Sequence, residues 1–128
     1  MDFLYSNAPN LEETELVQAV TSHRLNSETN RRRFYDQIGL EPGQFVYCHQ
    51  VHDNKVEVIS RYSETYSLPL AKADAIITDQ IDLVIAVFTA DCIPIFILDP
   101  HTCSIGIIHA GWRGTYKFIA TEAIQSMQ

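Results

Sequence analysis

Apolar positions along the chain fall into two regimes, helical spacing at both ends and short β-type runs between them. The first ten residues are polar and unpatterned, which predicts a frayed end or an edge segment. Asn10 then precedes Leu11, and Glu13 stands three positions on, a capping-box pattern. It predicts a short amphipathic helix carrying Leu16, Val17, Ala19 and Val20. A second helix is predicted from Ser27, with Glu28 in its first turn, Phe34, Ile38 and Tyr35 as its apolar stripe, and Gly39 as its stop. Pro42-Gly43 marks a turn.

From Phe45 the spacing changes. Phe45 to Cys48 and Val56 to Ile59 read as strands, and the polar stretch from Arg61 to Lys72 reads as a surface loop. Ala75 to Thr78, Leu83 to Phe88, Ile93 to Leu98 and Ser104 to Ile108 are short, β-branched-rich segments bounded by Asp, Pro or Gly. Two of them are apolar throughout, which predicts cover on both faces. After Gly114 the period returns to helical, with Tyr116, Ile119, Ala120, Ala123, Ile124 and Met127 on one face. That helix still runs at Gln128 without a closing signal, a pattern expected of a fragment.

Composition narrows the classes. The 128 residues are 46% hydrophobic and 20% charged, a globular balance with enough chain for one core. The net charge of −7 excludes a non-specific nucleic-acid binder, and Arg31-Arg32-Arg33 reads as a solvated helix face. No apolar run is long enough to span a membrane, and no secretion signal opens the chain, so a cytoplasmic protein is expected. Cys48, Cys92 and Cys103, an odd set without a C-x-x-C pair, fit a reducing compartment and no structural zinc ribbon.

Chemistry-capable side chains stand at three segment ends: Gln50-Val51-His52, Ala90-Asp91-Cys92, and His109 at the close of the last strand. The Cys92 and His109 segments are consecutive, and consecutive strands often pair. If His52 joins them, two imidazoles and one thiolate suit zinc and leave a fourth position open, as in catalytic sites. The same set occurs in blue-copper sites, but neither Met1 nor Met127 stands where an axial ligand is needed. Arg113, just before a predicted helix, is a candidate anion contact. Trp112 either stacks on a planar ring or packs. Asp91 reads as a turn cap or a carboxylate for proton transfer. Asp74, Asp79 and Asp99 read as turn residues; Cys48, His23, His101 and Cys103 read as structural.

The blocks "CHQVHDNKV", "ADAIITD", "TADCIPIFILDP" and "IIHAGWRGTYKFIATEAI" together resemble the YfiH/DUF152 family of laccase-domain proteins, also called multicopper polyphenol oxidases. The resemblance runs from Ser22 to the end and covers the N-terminal portion of the family's longer domain, so residues 1–128 are expected to form a single, truncated YfiH-like domain. It implies an α+β fold with mixed β-sheets covered by helices. It implies His52, Cys92 and His109 as zinc ligands and catalytic centre; Arg113, read from its own position, is the candidate phosphate contact. The resemblance implies purine nucleoside phosphorylase or adenosine deaminase activity on adenosine, inosine or methylthioadenosine. The expected partners are therefore a purine nucleoside and phosphate, with neither nucleic acid nor membrane. A copper-dependent polyphenol oxidase, or an inactive fragment completed by a partner chain, are the alternatives.

Overall fold

The computed structural model describes residues 5–41, 43–61 and 67–127, in two compact units divided after Gln44. Its elements run β1 (Tyr5–Asn7), α1 (Pro9–Glu12), β2 (Val20–Ser22), α2 (Glu28–Ile38), β3 (Val56–Ile59), β4 (Ala75–Thr78), β5 (Ile93–Asp99), β6 (Ser104–Ala110), α3 (Trp112–Tyr116) and α4 (Ile119–Gln125). Mixed sheets with helices make the class α+β, as the family resemblance implies. No helix among the described residues is long and apolar enough to cross a membrane.

In the first unit, β1 and β2 pair antiparallel, with Asn7 opposite Val20. The helix expected through Leu16 and Val20 is not formed. Helix α1 ends at Glu12, and the chain turns where the Thr14 hydroxyl donates to the Leu11 carbonyl at 2.6 Å and accepts from the Leu16 N–H at 3.2 Å. That hydroxyl competes with helix continuation, and Glu15 adopts a left-handed φ of 57°. Val20 and Thr21, both β-branched, then enter the hairpin. Helix α2 follows the sequence closely. The Ser27 side chain caps its start by accepting from the Asn30 N–H, and left-handed Gly39 ends it. Arg31 pairs with Glu28 on an exposed helix face, in keeping with the solvated reading of the arginine run. Pro42, half of the expected turn, lies outside the described residues, as do residues 62–66 of the expected loop.

The second unit is built on one sheet of order β3-β4-β6-β5. Strands β3 and β4 are parallel, while β6 runs antiparallel to both β4 and β5. Period-two alternation sends Ile76 and Ile107 to one face, with Val46, Cys48 and Ile59. It sends Ala75, Ile77 and Ile108 to the other, where Ile119 and Ala123 of α4 cover them. Strand β4 is buried along its whole length.

Three expectations change here. Phe45 to Cys48 and Leu83 to Phe88 form no strands; they run extended and meet through an isolated Val46–Ile85 bridge while covering the first face. Strand β5 feeds Phe96 to one cluster and Ile95 and Ile97 to the other, but stays half-buried because it is an edge strand. The terminal helix breaks into α3 and α4 at Phe118, whose φ is 62°. The break shifts the helical register, so Tyr116 faces outward at 81% exposure while Ile119 and Ala123 remain buried.

Candidate metal centre

The centre forms where β6 ends, where the chain enters β5, and where the loop before β3 turns. Register places Ile93 opposite Ala110 and Pro94 opposite His109, which brings Cys92 to the His109 end of β6. The His52 loop is drawn in from a distant part of the chain by side-chain hydrogen bonds. The Gln50 amide donates to the Phe88 carbonyl and accepts from the Phe88 N–H, both at 2.7 Å. One side chain thereby mimics a strand pair and ties the His52 loop to the segment leading to Cys92.

Asp74, immediately before β4, holds the same loop from the other side. Its Oδ1 accepts from the His52 N–H at 2.9 Å, and its Oδ2 accepts from Val51 and Asp53 N–H at 3.1 Å each. His109 Nδ1 lies 2.9 Å from the same Oδ1, and the His109 backbone N–H donates to the Asp74 carbonyl at 2.7 Å. The Asp74 side chain is fully buried. Burial pushes its carboxyl upward, but the His109 hydrogen bond and the backbone donors outweigh that and hold it below its ordinary value. Asp74 is thus no surface turn residue, contrary to its sequence reading. Its motif position inside "ADAIITD", abutting the Ala75–Thr78 strand, was the available signal. Asp99 does behave as a turn residue, accepting from the His101 N–H.

His52 adopts a left-handed φ of 58°, a region few non-glycine residues enter, though histidine does so more readily than most. Its ring meets that of His109 edge-on, with centroids 4.8 Å apart. Among the described residues, the group of His, Cys, Asp or Glu able to share one ion is His52, Cys92 and His109, whose ligand atoms all lie within 4.8 Å of one another. Burial grades across the set: His109 is buried, Cys92 half-buried and His52 exposed. One side is enclosed and the other open to a ligand.

The residues fit a divalent ion on two grounds. The donor set is two borderline nitrogens and one soft sulfur, which suits zinc. Gly111 lines the cradle: a Cβ there would stand 3.2 Å from His52 Cδ2 and 3.3 Å from Cys92 Sγ. Arg113 is exposed on α3, its guanidinium 5.3 Å from the Trp112 ring centre, and Trp112 is itself 76% exposed. Asp91, beside Cys92, is also exposed. His49, exposed, belongs to a bridge with Lys72 rather than to the trio. Behind the centre, Lys117 pairs with Asp53 at 2.8 Å, and Asn54 donates to the Lys117 carbonyl.

A family model described as multi-copper polyphenol oxidoreductase laccase matches residues 6–128. Among curated proteins, a protein named purine nucleoside phosphorylase YlmD from Bacillus subtilis is 32% identical over 101 residues, 75% of this chain and 36% of the relative. A purine nucleoside phosphorylase from Corynebacterium glutamicum is 36% identical over 100 residues, 78% of this chain and 40% of the relative. Among solved structures, YlmD of Geobacillus stearothermophilus superposes with a TM-score of 0.60 at 31% identity, over 71% of this chain and 36% of that one. A Neisseria meningitidis protein of the DUF152 family gives 0.59 at 31% identity, over 77% of this chain and 38% of that one. The chain therefore spans well under two thirds of the length of these relatives.

Proposed function

The chain belongs to the multi-copper polyphenol oxidoreductase laccase family, and from that premise we propose that it carries the zinc centre of a purine nucleoside phosphorylase. The observation that carries this reading is the meeting of His52, Cys92 and His109 in a chain whose relatives bear the phosphorylase name.

In phosphorolysis, phosphate attacks the ribose C1′, the C1′–N9 bond breaks, and the purine leaves with a proton. His52, Cys92 and His109 would hold the zinc, which supplies positive charge to polarise an oxygen of substrate or phosphate when bound. Arg113 binds the phosphate: its guanidinium presents donors in a fork that matches phosphate oxygens, and it is exposed two residues beyond cradle-lining Gly111. Exposed Trp112 offers a ring face beside that charge. Asp91, exposed next to Cys92, is the carboxylate available to exchange a proton with the departing base. The substrate class is adenosine, inosine or methylthioadenosine.

The test is phosphate-dependent release of free purine base from each nucleoside by the zinc-loaded chain, with Cys92→Ala as control. Base release that requires phosphate and is lost in Cys92→Ala, together with strongly reduced zinc stoichiometry, is the expected result. Inosine formed from adenosine without phosphate would replace phosphorolysis with deamination. Copper with intense visible absorption in protein purified without added metal would replace zinc with a phenol-oxidising centre. Zinc bound without any base release would make this chain a metal-binding piece that a partner chain completes.

A further inference from the structure

We infer that Asp74 is the positioning residue of this centre: one carboxylate fixes the ring of His109 and the backbone of His52 together, and thereby offers Nε2 of His109 to the ion. The inference rests on the metal-site reading above and deepens it.

The geometry leaves little freedom. Backbone N–H groups can only donate, and those of Val51, His52 and Asp53 occupy both oxygens of Asp74 as acceptors. An ionised carboxylate can only accept, and three backbone N–H donors on one carboxyl favour that form. The contact between Asp74 Oδ1 and His109 Nδ1 at 2.9 Å therefore places the proton on Nδ1. Nε2 is left with its lone pair, the form an imidazole needs to ligate.

The same oxygen also accepts from the His52 N–H. Three consecutive N–H groups, of residues 51 to 53, converge on one anion, and His52 sits in the left-handed region at their centre. Few non-glycine residues enter that region. The anion that the three N–H groups meet there is the one that orients the second imidazole. Asp74 itself is fixed on both sides, its N–H donating to the Lys55 carbonyl and its carbonyl accepting from His109. Two ligands that are far apart in sequence are thus aimed by one side chain before any ion arrives.

The experiment measures zinc affinity by chelator competition in the full 128-residue chain and in Asp74→Asn. Asparagine keeps the shape but supplies one acceptor oxygen in place of two, and its NH2 faces donors. The expected loss of affinity is about 10–100-fold, the usual effect of losing a group that orients a ligand. If Asp74→Asn binds zinc as tightly as wild type while only its metal-free stability falls, the residue is merely structural and the inference is overturned. A wild-type chain that binds no ion would instead overturn the metal reading itself, and this inference with it. Should Asp74→Asn not fold, nitrogen-15 histidine spectra of the wild-type chain loaded with cadmium-113 decide. Cadmium coupling to Nε2 of His109, with the Nδ1 proton present before and after loading, is expected. Coupling at Nδ1 overturns the assignment.

Discussion

The Gln50 side-chain amide hydrogen-bonds the Phe88 backbone in both directions, at 2.7 Å each, across 38 residues of sequence. The His52 loop and the Cys92 segment are thereby held together by a polar side chain that extends the pairing begun at the isolated Val46–Ile85 bridge. Gln50→Ala leaves the Phe88 N–H and carbonyl without that partner. With each hydrogen bond worth about 0.5–1.5 kcal/mol net, the variant should lose about 1–3 kcal/mol of unfolding free energy. Because the bonds position two candidate ligands, zinc affinity is expected to fall as well. Denaturant midpoints and chelator competition on the same preparation check both effects. Lost stability with unaltered affinity would separate Gln50 from the centre.

Gly114 tests how closely α3 must approach the His52 loop. A Cβ at this position would stand 2.8 Å from the Asp53 carbonyl oxygen, a backbone atom that cannot swing aside. Alanine favours a helix over glycine by about 1 kcal/mol, whereas overpacking costs about 1–3 kcal/mol. The steric term is the larger, so Gly114→Ala should be destabilising in a thermal melt despite the helix gain. It should also displace Asp53, and with it His52, and so weaken zinc binding. A variant more stable than wild type would show that the approach is not tight.

Gly106 provides the control. In β6 it packs where a Cβ would collide with Ile77 and would lie 2.7 Å from Ile97 Cγ1. Gly106→Ala should destabilise the sheet by about 1–3 kcal/mol yet leave zinc affinity near that of wild type, since no ligand lies among its neighbours. Adding Ile77→Val, which deletes the Cδ1 that the new Cβ would meet first, should recover part of the loss, read as a non-additive term in a double-mutant cycle. Strict additivity would count against the collision.

Thiol chemistry reads the centre directly. Cys103 is exposed, Cys92 half-buried and Cys48 buried. Burial pushes the Cys48 thiol up from its ordinary value, against a smaller lowering by its Ala71 backbone hydrogen bond, so it holds little thiolate near neutral pH. Alkylation near neutral pH followed by peptide mass mapping should label Cys103 in zinc-loaded protein, and Cys103 plus Cys92 after metal removal. Cys48 should react only on unfolding. Equal labelling of Cys92 with and without zinc would remove it from the ligand set.

Much of the fold was legible because it depends on near neighbours. Ser27 and Gly39 delimit α2 through a side-chain oxygen and a left-handed terminus, and the β-branched runs at Val56, Ala75, Ile93 and Ser104 became strands. Failures came where a local signal was ambiguous. Leu83 to Phe88 has strand composition but found only an isolated bridge partner. The stretch after Asn10 has helical spacing, yet the Thr14 hydroxyl and left-handed Glu15 ended the helix early.

The candidate ligands His52, Cys92 and His109 could be chosen from residue type and position at segment ends. Sequence alone determined that choice, because imidazoles and thiols are visible as letters. Their convergence was decided by tertiary structure, through strand register for Cys92 and His109 and through Gln50 and Asp74 for His52. Asp74 shows the reason most plainly. A buried carboxylate and a turn-capping one are the same letter, and only a fold that brings His109 to it from 35 residues away distinguishes them.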